Sequence, residues 1–143
     1  MGVVLAEVRN APVAPSELFD LVSRPDAGAV AQFVGVVRDH DPQASGTVVA
    51  LDYTCHPSAQ ERMGEIVAAV LASADPGDGC VVAAVHRIGH LVVGDVAFVV
   101  AVSSPHRTLA FAVCAQVVEA VKADLPVWKQ QFEADGNYRW SGL

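Results

Sequence analysis

The chain's 143 residues suit one domain spanning 1–143, and a hydrophobic share of 52% against 17% charged residues excludes an intrinsically disordered protein. Its formal net charge of −7 argues against nonspecific nucleic-acid binding, which needs a basic surface, and no segment reaches the roughly 18 apolar residues that cross a bilayer. We therefore expect no nucleic-acid or membrane partner. Because residues 1–9 acquire charge too early for a secretory signal, we also expect a cytoplasmic protein.

In chain order, the sequence predicts nine elements separated by turn-rich loops. They are a strand over 3–8, a short helix from Pro15, strands over 28–37 and 48–53, a helix over 58–73, strands over 80–88 and 96–102, a helix over 105–124 and an extended segment over 127–132. This order indicates an α+β fold with a mostly antiparallel sheet, two main helices and one short helix.

Several details of these elements are predicted from single residues. Ser16 is expected to cap the short helix, and Gly35 to mark a bulge or a close approach within its strand. The polar stretch 39–46 is expected to be a mobile loop, and 89–95 a hairpin-like excursion. Helical spacing in the last helix predicts a core-facing stripe made of Phe111, Cys114, Val118, Val121 and Leu125.

The cysteines Cys55, Cys80 and Cys114 are odd in number and contain no C-x-x-C spacing. This usage is typical of reduced thiols and supplies no zinc site. A persulfide carrier is a second interpretation, but apolar neighbours favour small core residues in all three cases. The sequence also lacks a P-loop and a dinucleotide fingerprint, so we expect neither a metal nor a cofactor.

The chain has only two lysines, Lys122 and Lys129, and its other seven cationic side chains are arginines. Unlike arginine, lysine can lose its proton near neutral pH and so transfer protons or attack a carbonyl. Pro126 breaks the helix between the two, so both amines could meet in one pocket at the helix end. Two solvated helix lysines are the simpler interpretation of such a pair.

A second cationic cluster follows the strand over 96–102. In the stretch 103–107 (SSPHR), free backbone N–H groups at a helix start lie beside His106 and Arg107, which together predict an anion-binding site. Alternatively, Ser104 caps the helix and the two cations are solvated. Arg38 ends a strand just before the polar loop and is ambiguous by itself, whereas a structural role is favoured for His86, Arg87 and His90.

These motifs resemble the large, catalytic subunit of molybdopterin synthase. The pairing of Ser-Ser-x-His-Arg with Lys-x3-Pro-x-Trp-Lys is specific, and the His-Arg-x-Gly hairpin supports it. The similar stretches cover most of the chain in the family's order: 28–38 with FVGVVR, 49–53 with LDY, 85–95 with HRIGHLVVGD, 102–107 with SSPHR followed by Ala110-Phe111, and 121–129 with LPVWK.

The resemblance implies an α/β-hammerhead-like fold and a homodimer within a heterotetramer. The partner it implies is a small ubiquitin-like sulfur-carrier subunit whose C-terminal Gly-Gly thiocarboxylate enters the pocket, and the implied substrate is cyclic pyranopterin monophosphate, which becomes the molybdopterin dithiolene. By the same resemblance, Lys122 and Lys129 are the expected catalytic residues. The expected substrate-binding groups, some supplied across the dimer, are Phe33, Arg38, His106 and Arg107.

Three positions depart from the family pattern. The family usually has tyrosine and methionine where His56 and Ser58 stand, and glutamate where Gln131 stands. The loss of that carboxylate could change proton transfer by a lysine. These departures leave room for a slow, carrier-binding scaffold paralogue. A non-catalytic regulatory domain that binds a phosphorylated ligand is a separate alternative, which would explain the arginines and the turn at 103–107.

Overall fold

The fold combines two four-stranded sheets with three helices, as seen in a computed structural model that describes residues 2–42, 44 and 46–143. In these residues the strands are β1 (Gly2–Arg9), β2 (Ala29–Val36), β3 (Val48–Cys55), β4 (Val81–Arg87), β5 (Gly89–Val92), β6 (Val96–Ser104), β7 (Val127–Glu133) and β8 (Tyr138–Gly142). The helices are α1 (Pro15–Val22), α2 (Ala59–Ala74) and α3 (Arg107–Asp124). The predicted α+β class, with two long helices and one short helix, is confirmed.

The first sheet has the strand order β1-β4-β6-β2 and is covered on both faces. Its β1–β4 pair is parallel, while β4–β6 and β6–β2 are antiparallel. On one face, Leu18 and Val22 of α1 pack against apolar side chains of β4 and β6; the larger core on the other face includes α2 and α3. Burial of both faces explains why β4 reads as a nearly continuous apolar run.

The second sheet has the order β5-β3-β7-β8, with every pair antiparallel. Two of its strands were missing from the predicted order: the hairpin-like excursion after β4 contains β5, and the segment after the Gly136 turn is β8. Gly89 has a φ of +95°, a value that glycine adopts readily. The chain can therefore bend sharply there and pass from the first sheet into the second.

Two helix starts differ from what the sequence suggested, one from a prediction and one from an alternative interpretation. Ser16 is not the N-cap of α1; Ala14 is, without a side-chain hydrogen bond, and Pro15 opens the helix. Proline suits the first helical position because its missing N–H would have no partner there. Similarly, Ser104 does not cap α3, because it is buried in β6 and the N-cap is His106.

The core-facing stripe of α3 is correct except at Phe111, which is 66% exposed. Cys114, Val118, Val121 and the cap residue Leu125 are buried as predicted. Because α3 packs against α2 as well as against β2 and β6, its buried surface also takes in Ala110, Val113 and Val117. Because α3 packs against both a helix and a sheet, its buried face does not include Phe111.

The irregularity predicted at Gly35 is confirmed. Gly35 pairs with Phe98 and Val36 pairs with Val96, so the extra residue belongs to β6. A side chain at Gly35 would also meet the Phe33 ring at 3.2 Å, which makes the position a close approach as well. The segment 39–46 lies outside the helices and strands wherever it is described, and Gln43 and Ser45 fall outside the described residues.

Candidate active site

Both lysines line one cavity of about 270 Å³ between the two sheets and the end of α3. We call it the lysine pocket. Its lining comes from the end of β2, the loop after it, β3, β7 and α3, and consists of Phe33, Gly35, Val36, Val37, Arg38, His40, Asp41, Leu51, Tyr53, Lys122, Lys129 and Gln131. Of the expected site residues, the structure therefore brings Phe33, Arg38, Lys122 and Lys129 together.

The floor of the pocket is a patch of two cross-strand pairs. Lys129 on β7 lies opposite Tyr53 on β3, and Gln131 lies opposite Leu51. Residues two apart on a strand point to the same face, about 7 Å from each other, so these four side chains share one surface. Tyr53 was missed as a lining residue at the sequence level, although the alternation along 48–53 was a usable signal for it.

Lys122 enters the pocket from the last turn of α3. The residue as a whole is exposed, but its ammonium lies 5.9 Å from the centroid of the buried Phe98 ring. Burial is the main cause that lowers the pKa of Lys122, and the charges of Lys129 and Arg38 lower it further, whereas Glu119 opposes them. A neutral amine is thus accessible at a lower pH than for an ordinary lysine.

Lys129 carries the pocket's second ammonium and is paired with a carboxylate. Its Nζ lies 3.3 Å from Oδ2 of Asp41, in the loop after β2, and both side chains are largely buried. The pairing satisfies a positive charge where no other lining carboxylate is described. Asp41 was not among the expected site residues, because nothing in the sequence relates a loop residue to a strand 88 positions away.

Behind the pocket lies a layer of three rings. His86 stacks at 5.2 Å from Phe98 and meets Tyr53 edge-on at 5.0 Å, while its Nδ1 lies 2.7 Å from the carbonyl oxygen of Arg87. Burial raises the pKa of Tyr53 to about 12, so its hydroxyl remains protonated, and lowers the pKa of His86 to about 4. A neutral His86 adds no positive charge behind Lys122. The structural role favoured for His86 agrees with its burial.

The depressed pKa of His86 predicts an acid-labile fold. Because unfolded histidine binds its proton near pH 6.5 and folded His86 only near pH 4, the unfolded state takes up more protons in between. The free energy of unfolding should therefore decrease as the pH is lowered from about 6.5 to about 4, by about 3 kcal/mol in total. Urea unfolding at pH 7 and pH 4.5 should show this loss shrinking in His86→Leu; an equal loss in both proteins would contradict the prediction.

The second cationic cluster lies at the opposite end of α3. His106 lines a shallow cavity with Asp75 and Gly79, while Arg107 lines another with Gly28 and Phe111. Lys122 lies fifteen positions after Arg107 on α3, a rise of about 22 Å. Within one copy of the chain, the expected meeting of His106 and Arg107 with the lysines does not occur.

Cys80 and Cys114 are buried and Cys55 is half-buried, in line with the core positions predicted for them. Burial raises the pKa of the Cys80 thiol to about 11 and also raises the pKa of Cys114, so both are poor nucleophiles at neutral pH. Among the described residues, no three His, Cys, Asp or Glu side chains are placed to hold a metal ion. In the same part of the chain, no helix is long and apolar enough to cross a membrane.

Comparisons with known proteins agree on one family. The model of the MoaE protein family matches residues 8–124. A curated relative, molybdopterin synthase catalytic subunit 1 of Mycobacterium tuberculosis, is 35% identical over 92% of this chain and 86% of its own length. The solved structure of molybdopterin synthase from Staphylococcus aureus superposes with a TM-score of 0.84 at 29% identity, covering 96% of this chain and 97% of that one.

A third comparison concerns a complex. A solved protein–protein complex of subunits 1 and 2 of the molybdopterin-converting factor from Helicobacter pylori contains a chain with the same fold. The TM-score is 0.72 and the identity 19%, over 94% of this chain and 88% of that one. At that identity the likeness shows the fold alone. The family match over most of the chain, together with the 35% identical relative, shows that this chain belongs to the MoaE family of molybdopterin synthase catalytic subunits.

Proposed function

We propose that this chain transfers sulfur from the C-terminal thiocarboxylate of a small ubiquitin-like carrier subunit to cyclic pyranopterin monophosphate, forming the dithiolene of molybdopterin. The observation that carries the proposal is the lysine pocket, where the chain's only two lysines lie together and one of them has a lowered pKa. Two solvated helix lysines, the simpler interpretation, would share no cavity.

The pocket's charge matches the chemistry of these reactants. The substrate phosphate and the carrier thiocarboxylate are both anions, and Lys122, Lys129 and Arg38 provide three cations around one cavity of an acidic protein. Arg38 suits the phosphate because a guanidinium can bind it through two parallel hydrogen bonds. Phe33, half-buried and edge-on to Phe98 at 5.7 Å, offers an apolar surface to the pterin ring.

The two lysines are suited to different tasks. Each transfer forms a carbon–sulfur bond on the pterin side chain and breaks the acyl–sulfur bond of the carrier, which water converts to a carboxylate. Protons must move on and off carbon and oxygen during these steps, and an amine of lowered pKa such as Lys122 can both accept and donate them. Lys129, held by an ion pair with Asp41, supplies a fixed positive charge for the developing oxyanion once a ligand displaces that carboxylate.

A second copy of the chain is proposed to supply His106 and Arg107. β2 is an edge strand of the first sheet, and its Val34 and Val36 are exposed apolar side chains, as expected for an interface. If two β2 strands pair antiparallel about a twofold axis, the Arg107 end of one copy lies beside the Arg38 end of the other. The length of an eight-residue strand, about 26 Å, is close to the separation between the two clusters along α3.

The assembly and setting follow from the same proposal. We infer a homodimer that binds two carrier subunits, with each chain acting as an undivided domain over residues 1–143. The spacing of the cysteines, without any C-x-x-C, supports a reducing, cytoplasmic compartment.

Reconstitution with purified components tests this function. Wild-type protein, thiocarboxylated carrier and cyclic pyranopterin monophosphate should yield molybdopterin, and carrier with an ordinary C-terminal carboxylate should yield none. Calorimetry separates the regulatory-domain alternative, because only the enzyme should bind a carrier that ends in Gly-Gly. Failure both to bind carrier and to convert the pterin would reject the proposal.

The pH dependence of turnover should follow Lys122 through its neighbour Glu119. The Glu119 carboxylate raises the pKa of Lys122, so Glu119→Gln should lower that pKa further. Because protonated Lys122 cannot accept a proton, the acid limb of the kcat profile should move to lower pH. Asp124→Asn is the matched control: it removes a charge from the same end of α3, but one directed toward Arg62 at 4.0 Å, and should leave the limb in place.

A further inference from the structure

The pocket contains one buried polar group that the proposed chemistry leaves unused. Gln131 on β7 is 2% exposed, and its Nε2 has no hydrogen-bond partner among the described residues. Buried amides are nearly always hydrogen-bonded, so an orphan donor in a native fold calls for a cause. The residue across the strand pair, Leu51, is apolar and offers it no side-chain acceptor.

The surroundings of Gln131 indicate what could satisfy it. Its neighbours on the pocket floor, Lys129 and Tyr53, form no hydrogen bond with Nε2, and Lys122 and Arg38 add further donors around the same cavity. Asp41, the one lining carboxylate described, is already engaged by Lys129. Among the described residues Gln131 Nε2 thus has no acceptor, and a cavity surrounded by cations favours a ligand oxygen that carries negative charge as the group to complete it.

We infer that Gln131 is a specificity-determining residue of the lysine pocket, whose Nε2 donates a hydrogen bond to an oxygen of the bound anion. This inference rests on the proposed function, in which that anion is either the substrate phosphate or the carrier's terminal carboxylate group. An amide N–H binds the oxygen through a directional hydrogen bond without adding charge, whereas the lysines attract the anion through their positive charge. No described residue accepts from this donor, and the bound ligand completes it.

Two substitutions separate this role from a purely structural one. Gln131→Met has a similar length and removes the donor, so without ligand it should melt at the wild-type temperature or higher, because an unsatisfied buried group disappears. Its affinity for the anion should fall roughly tenfold, the usual scale for one lost hydrogen bond. Gln131→Glu replaces the donor with a carboxylate beside two lysines, and its affinity should fall further.

Calorimetry and thermal melting of the three full-length proteins provide the test, with inorganic phosphate and an acetylated Gly-Gly peptide with a free carboxylate as probes. A loss in Gln131→Met for phosphate alone identifies the substrate phosphate as the acceptor, and a loss for the peptide alone identifies the carrier terminus. A loss for both supports a subsite that the two anions use in turn. Unchanged binding of both probes, or wild type that binds neither, overturns the inference.

Turnover of Gln131→Glu distinguishes this inference from the slow-paralogue alternative. If Gln131 merely stands in place of a needed carboxylate, glutamate at this position should raise the rate. If Gln131 donates a hydrogen bond to the ligand oxygen, glutamate should raise KM and leave the rate no higher. A faster Gln131→Glu enzyme would thus refute the inference while the proposed function stood. Conversely, the wild-type protein could show no turnover while Gln131→Met still binds the anions more weakly than wild type. That result would uphold the inference and reject the proposed function.

Discussion

Replacing Lys122 by alanine should reduce molybdopterin formation about 10²- to 10⁴-fold, the usual contribution of a positioned general acid–base group. Lys122 is an exposed residue in the last turn of α3, so removal of its side chain should leave the fold intact. Single-turnover conversion of the cyclic pterin by thiocarboxylated carrier measures the loss. Circular dichroism and carrier binding should match those of wild type.

Lys122→Arg is the informative companion, because arginine keeps the positive charge but does not release its proton near neutral pH. If Lys122 transfers protons, the arginine variant should be nearly as slow as the alanine variant. If Lys122 serves only as a cation, the arginine variant should recover most of the rate, which would contradict the assigned role. Lys129→Ala should instead weaken ligand binding as well as the rate, because Lys129 carries the ion-paired ammonium.

Removing Arg107 should also abolish most turnover, by roughly 10²-fold, although it lies about 22 Å along α3 from Lys122 of its own chain. The reason is that the proposed site combines Lys122 of one copy with Arg107 of the other. Co-expression of Lys122→Ala and Arg107→Ala chains with different affinity tags allows the mixed dimer to be purified. That dimer contains one intact site of two and should recover about half of the wild-type activity.

The matched control for the mixed dimer pairs Arg107→Ala with a chain that carries both substitutions. This dimer keeps one Lys122 but has no Arg107, so it should remain inactive. Recovery in the control, or none in the first mixed dimer, would contradict a site shared between copies. The assay needs no assumption about how the two β2 strands meet.

Local sequence patterns predicted most of the secondary-structure elements and the chemical groups of the site. Alternation and helical spacing, with breaks at Gly and Pro, specified most strands and both long helices, because these patterns depend on neighbours within a few residues. The isolation of Lys122 and Lys129 within an arginine-rich set of cations, and the helix break at Pro126, were also visible there. Local signals could not place β5, because its pairing with β3 depends on where the chain bends at Gly89.

The assembly of the site depends on long-range packing, which local patterns do not predict. The tertiary structure buried Gln131 across from Leu51 without a partner for its Nε2, paired Asp41 with Lys129, and put Phe98 beneath Lys122. It also separated Arg107 from the lysines by the length of α3. These relations join residues far apart in sequence through strand register and helix packing, and both of these are fixed by burial of the whole core.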